Sequence, residues 1–161
     1  MQWNDLSING LVKSMAHLQP FEQAYDIAGE KVSVRFEFGF HTFTDDKSDN
    51  VQLFHQGERR YFCPSRYHCS TQLRNYFERR FFSGAAVPHN SRKGGQRYFC
   101  LDLHDYAIFF SISKPSGTTN LLKLRVISAY EVESWGRTSL PRGKPFNVRY
   151  ILQMRNEGKS V

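Results

Sequence analysis

At 161 residues the chain has the length of one ordinary domain, and a composition of 40% hydrophobic and 23% charged residues excludes a disordered chain. Its 22 Lys and Arg against 15 Asp and Glu leave a net charge of +7. That balance suits a polyanionic partner such as nucleic acid, and solubility alone accounts for it equally well.

No run approaches the roughly 18–20 apolar residues needed to span a bilayer. Residues 1–20 contain no continuous apolar core of a signal peptide, so a cytoplasmic location without membrane association is expected. Aromatic residues reach 15%, fourteen of them Phe, which leans toward β-structure. Cys63, Cys69 and Cys100 are odd in number and lack a C-x-x-C pair, which predicts free thiols in a reducing compartment rather than a zinc site.

In chain order, Leu6, Ile8, Leu11, Val12, Met15 and Leu18 are spaced for a short amphipathic helix over residues 4–18. Lys31–Thr44 then alternates strictly. Val32, Val34, Phe36, Phe38 and Phe40 interleave with Ser33, Arg35, Glu37, Gly39 and His41, the pattern of a strand with one buried face. On that reading Arg35 and Glu37 are wetter than Phe36 and Phe38. A polar loop at residues 45–50 precedes a hairpin of Val51–Phe54 and Arg60–Cys63 around Gln56-Gly57.

Leu73, Phe77 and Phe81 recur every four residues within 65–82, predicting an amphipathic helix closed at Ser83-Gly84. Residues 85–96 read as a loop. Beyond it the chain reads as strands over Arg97–Leu103, Tyr106–Ser113, Leu121–Val132 and Phe146–Gln153, paired in one antiparallel sheet, with a frayed tail at 156–161. The whole predicts a single-domain α+β protein over residues 1–161, mainly antiparallel β-sheet with one or two packed helices.

Four groups of residues could carry chemistry. His41, at the end of an alternating strand, could act as a general acid or base, although a solvent-facing sheet residue is the simpler reading. Arg66-Tyr67-His68 stands at a helix start, where backbone amides favour anions, while helix capping explains the adjacent Ser65 and Ser70. Arg92-Lys93-Gly94-Gly95 with Arg97 could approach a phosphate, or form a solvated turn. Arg125 shares one strand face with Lys123, but strict alternation places Ser128 and Tyr130 on the opposite face. Only a β-bulge near Ser128-Ala129 would bring all four together. No Gly-rich nucleotide loop, G-x-S-x-G elbow or H-E-x-x-H helix is present, so any catalysis is expected to be acid–base chemistry without a metal or cofactor.

Phe38-Gly39-Phe40-His41-Thr42-Phe43-Thr44, Arg66-Tyr67 with Ser70, and Ser128-Ala129-Tyr130 resemble an uncharacterised bacterial and prophage family, matching over roughly residues 36–150. Its pattern is an F-S-x-H-x-F-T strand, an R-Y-x-x-S helix start and a late S-A-Y strand. That resemblance groups the residues without implying an activity. Leu124–Tyr130 is also similar to the closing R-I-I-S-A-R strand of BrnT-like toxins, of the barnase, colicin and RelE group of ribonucleases. This second resemblance implies N-terminal helices on a four-stranded antiparallel sheet and RNA cleavage. The chain departs from it in length, in the 31–63 strands and in Tyr130, where BrnT has Arg.

The resulting expectation is an RNA-directed protein, in the form of a small metal-independent ribonuclease. His41, Arg66, Tyr67, Ser128 and Tyr130 are its catalytic candidates, and Arg92, Lys93, Arg97 and Arg125 hold nucleic acid. His41, Arg66, Ser128 and Tyr130 would converge on one cleft. The alternative is a non-catalytic, prophage-type protein that modulates a host protein or nucleoprotein, and an antitoxin is a further possible partner.

Overall fold

The computed structural model describes residues 2–90 and 97–161. The expected N-terminal helix is instead a hairpin of β1 (Leu6–Ile8) and β2 (Leu11–Lys13), followed by a single 3-10 turn at Ala16–Leu18. Asn9 and Gly10 both adopt positive φ. That is the two-residue turn whose twist matches paired strands, and Asn-Gly is its strongest local signature. The apolar spacing of residues 6–18 fits a helix, but this turn overrides it.

β3 (Phe21–Ile27) turns through Ala28-Gly29 into β4 (Glu30–His41), the strand expected from alternation. β5 (Thr44–Asp45), β6 (Gln52–His55) and β7 (Glu58–Phe62) form a small separate sheet, with Gln56-Gly57 at the hairpin turn. The single helix expected over 65–82 is divided into α1 (Pro64–Ser70), α2 (Leu73–Arg79) and a 3-10 turn at Phe81–Ser83. The segment read as a loop after it begins with a strand, β8 (Ala85–Asn90). β9 (Arg97–Asp102), β10 (Tyr106–Ser113) and β11 (Leu121–Glu131) follow as antiparallel neighbours.

Phe146–Gln153 is not a strand. Only Phe146–Asn147 pairs, as β12, and Val148–Asn156 is helix α3. Val148, Ile151 and Leu152 bury one helical stripe, a spacing that outweighs the β-propensity of the branched residues. The tail does not fray at once. Lys159 N–H donates to Met154 and Gly158 N–H to Arg155, closing α3 at a positive-φ glycine, and Val161 packs against the core.

Among the described residues the main sheet runs β12-β8-β9-β10-β11-β4-β3. Every pairing in it is antiparallel except β11 with β4, which is parallel. This is an α+β domain with a mainly antiparallel sheet. One sheet face is the core: Val34, Phe36, Phe38, Leu124, Val126, Phe99 and Phe110 meet Leu73, Phe77 and Phe81 and the stripe of α3. Large side chains buried in this way contribute on the order of 1.5–3 kcal/mol each. The opposite face carries a smaller cluster of Cys100, Ala107 and Leu140 with Phe109 and Val132, and Lys123 and Arg125 lie exposed on it. No helix among the described residues is long and apolar enough to cross a membrane.

Candidate functional site

The site residues meet on this second face because of one irregularity. Relative to β10, strand β11 carries an extra residue between Val126 and Ser128, so Phe109 pairs with Ser128 and Phe110 with Val126. Val126 and Ala129 are both fully buried, while Ile127, Ser128 and Tyr130 are half-buried. Two successive side chains, at 127 and 128, therefore leave the core, and Ser128 and Tyr130 join the face of Lys123 and Arg125. In the parallel ladder Ser128 pairs with His41.

Gly39 sits where this bulge crowds β4. A Cβ built there would lie 2.9 Å from the Val126 carbonyl oxygen and 3.3 Å from that of Ile127. Glycine is what lets the two strands pair at this point.

β4 then ends in a turn held by its own threonines. Thr42 Oγ1 donates to the Gly39 carbonyl and Thr44 Oγ1 to the Phe40 carbonyl, each at 2.6 Å, and both residues are fully buried. Arg60 Nε donates to Thr44 Oγ1 at 2.9 Å. Arg66 Nη1 donates to the carbonyls of His41 (3.1 Å) and Thr44 (2.9 Å). Burial lowers the Arg60 pKa, and the neighbouring Arg66 charge adds to that. The Phe-His-Thr-Phe-Thr motif is thus largely a device that fixes the end of β4 and the direction in which His41 leaves it.

His41 does not point at Tyr130. Its Nε2–H donates to both carboxylate oxygens of Glu58, at 3.0 and 2.9 Å, with the His41 side chain 33% exposed. An ionised carboxylate only accepts, so this partner holds the proton on Nε2, and in the neutral form of the ring the lone pair is then on Nδ1. Glu58 follows the Gln56-Gly57 turn, so the small sheet brings a carboxylate to the histidine. Together with Arg125, Tyr98 and Ser111, the pair lines a cavity of about 350 Å³.

Arg66 and Tyr130 line a neighbouring cavity of about 650 Å³, with the Arg66 guanidinium 5.1 Å from the Tyr130 ring centre. Burial raises the Tyr130 pKa, which the Arg66 charge partly offsets. Asp45, Asp46, Asp49, Glu131 and Glu133 make this second cavity acidic.

The structure brings His41, Ser128, Arg66 and Tyr130 to one region of one face, but divides His41 and Tyr130 between adjacent cavities. Arg66 is committed to backbone carbonyls. Tyr67 lies apart: its hydroxyl donates to the Ser14 carbonyl, and its ring packs on His17 and Phe62. Arg125 joins the His41 cavity. Arg97 alternates with Tyr98 onto the core face, beside Arg155, whose pKa it helps lower after burial does so. Arg92 and Lys93 lie outside the described residues.

Glu37 is wetter than the fully buried Phe36 and Phe38, as the alternation expects, but is still largely covered. Its side chain is 10% exposed and bridges Arg35 Nε and Lys123 Nζ, each at 3.3 Å. Burial opposes its charge, yet hydrogen bonding and cations including Lys123 hold the carboxyl below its ordinary pKa. The three cysteines are free. Burial, together with a hydrogen bond and the charge of Glu131, pushes the Cys69 thiol up to about 12, so it is protonated at neutral pH and a poor nucleophile.

Glu58 and Tyr98 were not legible in the sequence, since neither stands in a recognisable spacing with His41. The family model for the YjaZ family matches residues 5–155. The chain belongs to that family. The YjaZ match runs from just before β1 nearly to the end of α3, so the His41 cavity and every element framing it lie within it. No curated protein and no solved structure matches the chain.

Proposed function

We propose that the chain acts on RNA and cleaves its backbone by acid–base chemistry in the His41 cavity, as a small cytoplasmic ribonuclease that needs no metal. The observation that carries this reading is the His41–Glu58 pair beside Arg125. Glu58 fixes the tautomer and stabilises the imidazolium that forms. His41 Nδ1 takes the proton of a ribose 2′-hydroxyl, and the 2′-oxygen attacks the adjacent phosphorus. The P–O5′ bond breaks, and water returns a proton to the leaving 5′-oxygen. Arg125 offsets the charge that develops on the non-bridging oxygens. Tyr98 and Ser111 offer hydroxyls to the same phosphate. The similarity of Leu124–Tyr130 to the closing strand of BrnT-like toxins supports this reading for that strand alone.

A 5′-labelled single-stranded RNA incubated with the protein should yield fragments ending in 2′,3′-cyclic phosphate, and its 2′-deoxy counterpart should stay intact. His41→Ala should reduce cleavage by about 10²–10⁴-fold. Because the His41–Glu58 pair is partly exposed, stability should change by no more than about 1 kcal/mol. Cleavage of the deoxy substrate, or an unchanged rate in His41→Ala, refutes the proposal.

A second reading, a non-catalytic protein that binds and modulates a host protein, is favoured by Leu11, Val12 and Phe54, which are 64, 74 and 70% exposed. It expects His41→Ala to be silent and charged substitutions at Val12 or Phe54 to abolish function.

A further inference from the structure

On the face opposite the helices, four rings form a row across four consecutive strands. His89 of β8 lies 4.8 Å from Tyr98 of β9 between ring centres, Tyr98 lies 6.2 Å from Phe109 of β10, and Phe109 lies 5.6 Å from Tyr130 of β11. Arg66 continues the row, with its guanidinium over Tyr130. The register makes this possible. His89 pairs directly with Tyr98, Phe109 with Ser128, and the β11 bulge turns Tyr130 outward to reach Phe109.

Core packing accounts for Phe109 in part, since it rests on the Cys100, Ala107 and Leu140 cluster, but not for His89, Tyr98 and Tyr130. Phe99 and Phe110, on the same strands but facing the helices, are fully buried, whereas all four rings of the row are half-buried. The row meets the His41 cavity at Tyr98, which lines it.

We infer that this row is a stacking platform for consecutive bases of a single-stranded RNA, delivering its backbone to His41. The inference rests on the RNA reading above and assigns the strand a conformation and a path. Aromatic faces accept any base, so the platform selects unpaired strands rather than a sequence. Adjacent β-strands lie about 4.8 Å apart, wider than the roughly 3.4 Å rise per nucleotide of a stacked strand. Bases seated on the row are therefore opened from one another, which leaves the 2′-hydroxyl free to swing in line with its phosphate.

Charge sets the path. Arg125 and Lys123, the latter bridged to Glu37, lie exposed on one flank of the row, whereas Asp45, Asp46, Asp49, Glu131 and Glu133 outnumber Lys47 and Arg66 on the other side of Tyr130. The phosphates therefore follow the Arg125 flank, which is the side of His41.

The test uses full-length His41→Ala, so that bound RNA survives, and fluorescence anisotropy at low salt. The probes are a labelled eight-nucleotide RNA, the same backbone with abasic residues at four central positions, and the RNA annealed to its complement. The intact strand should bind about tenfold or more tightly than either other probe, at the usual strength of base–aromatic stacking. Adding Tyr98→Leu or Tyr130→Leu, which keep apolar bulk on the sheet, should remove most of that preference while leaving weak, salt-sensitive binding to the abasic strand. Equal affinity for the intact and abasic strands, or tighter binding of the duplex, overturns the platform even if wild-type protein cleaves RNA. A clear base preference without cleavage by the wild type supports the platform and removes only the catalytic step. Failure to bind any probe overturns it.

Discussion

Gly39→Ala tests whether the β11 bulge is what assembles the site. The added Cβ would stand 2.9 Å from the Val126 carbonyl oxygen, where ordinary contact begins near 3.4 Å. Both partners are backbone at the parallel β4–β11 pairing, so the strands must part by about half an ångström. Overpacking of this kind costs about 1–3 kcal/mol, and replacing a strand glycine recovers about 0.5–1 kcal/mol of chain entropy. The net loss of roughly 0–2.5 kcal/mol corresponds to a fall in Tm of up to about 10 °C for a chain of this length. Thermal unfolding followed by circular dichroism reads it directly. Ser33→Ala, on the same strand and face, is the control and should stay within about 0.5 kcal/mol of wild type. The function should suffer more than the fold, because Arg125 Nε lies 3.7 Å from the new methyl and shifts with the bulge. A displacement near 1 Å can cost about 10²-fold in rate. A Tm within 1 °C of wild type together with unchanged RNA cleavage would refute the claim that this crowded contact positions the site.

Ala28 holds a positive φ of 51° in the β3–β4 turn, a region unfavourable to residues with a Cβ, so Ala28→Gly should raise Tm by about 1–4 °C. A drop would show that the turn is not strained. Glu37 has a folded pKa below its unfolded value, so its contribution is present above about pH 4.3 and is lost as pH falls through the folded pKa. Urea titrations from pH 7 to pH 3 should show the wild type losing stability more steeply than Glu37→Gln, and parallel curves would refute this. Arg66→Ala removes two hydrogen bonds from a charged donor to the His41 and Thr44 carbonyls, with an expected loss of about 2–4 kcal/mol in urea unfolding. Unchanged stability would show that Arg66 does not hold the end of β4. RNA affinity should fall steeply between 50 and 200 mM salt, and a flat dependence would exclude phosphate contacts.

What the sequence determined is local. The alternation of Val32 to Phe40 requires a strand buried on one face, because a one-residue slip would expose every apolar side chain. Gln56-Gly57 between short β-patterns specifies a hairpin, and the four-residue spacing of Leu73, Phe77 and Phe81 places them on one packed face. In two segments, two local signals compete. In residues 6–18 helical spacing competes with the Asn9-Gly10 turn signal, and in 148–153 β-branched residues mask a helical stripe. What only the tertiary structure decided is non-local. The parallel pairing of β4 with β11 joins segments some ninety residues apart, which no short-range pattern encodes. The bulge at Ile127 was conceivable from the sequence, but its position is set by the carbonyls packed over Gly39. Glu58 meets His41 because the small sheet folds back on the end of β4, and the ring row exists because four strands align in register. Each of these depends on how elements stack, and burying the Phe-rich face against α2 and α3 is what fixes that stacking.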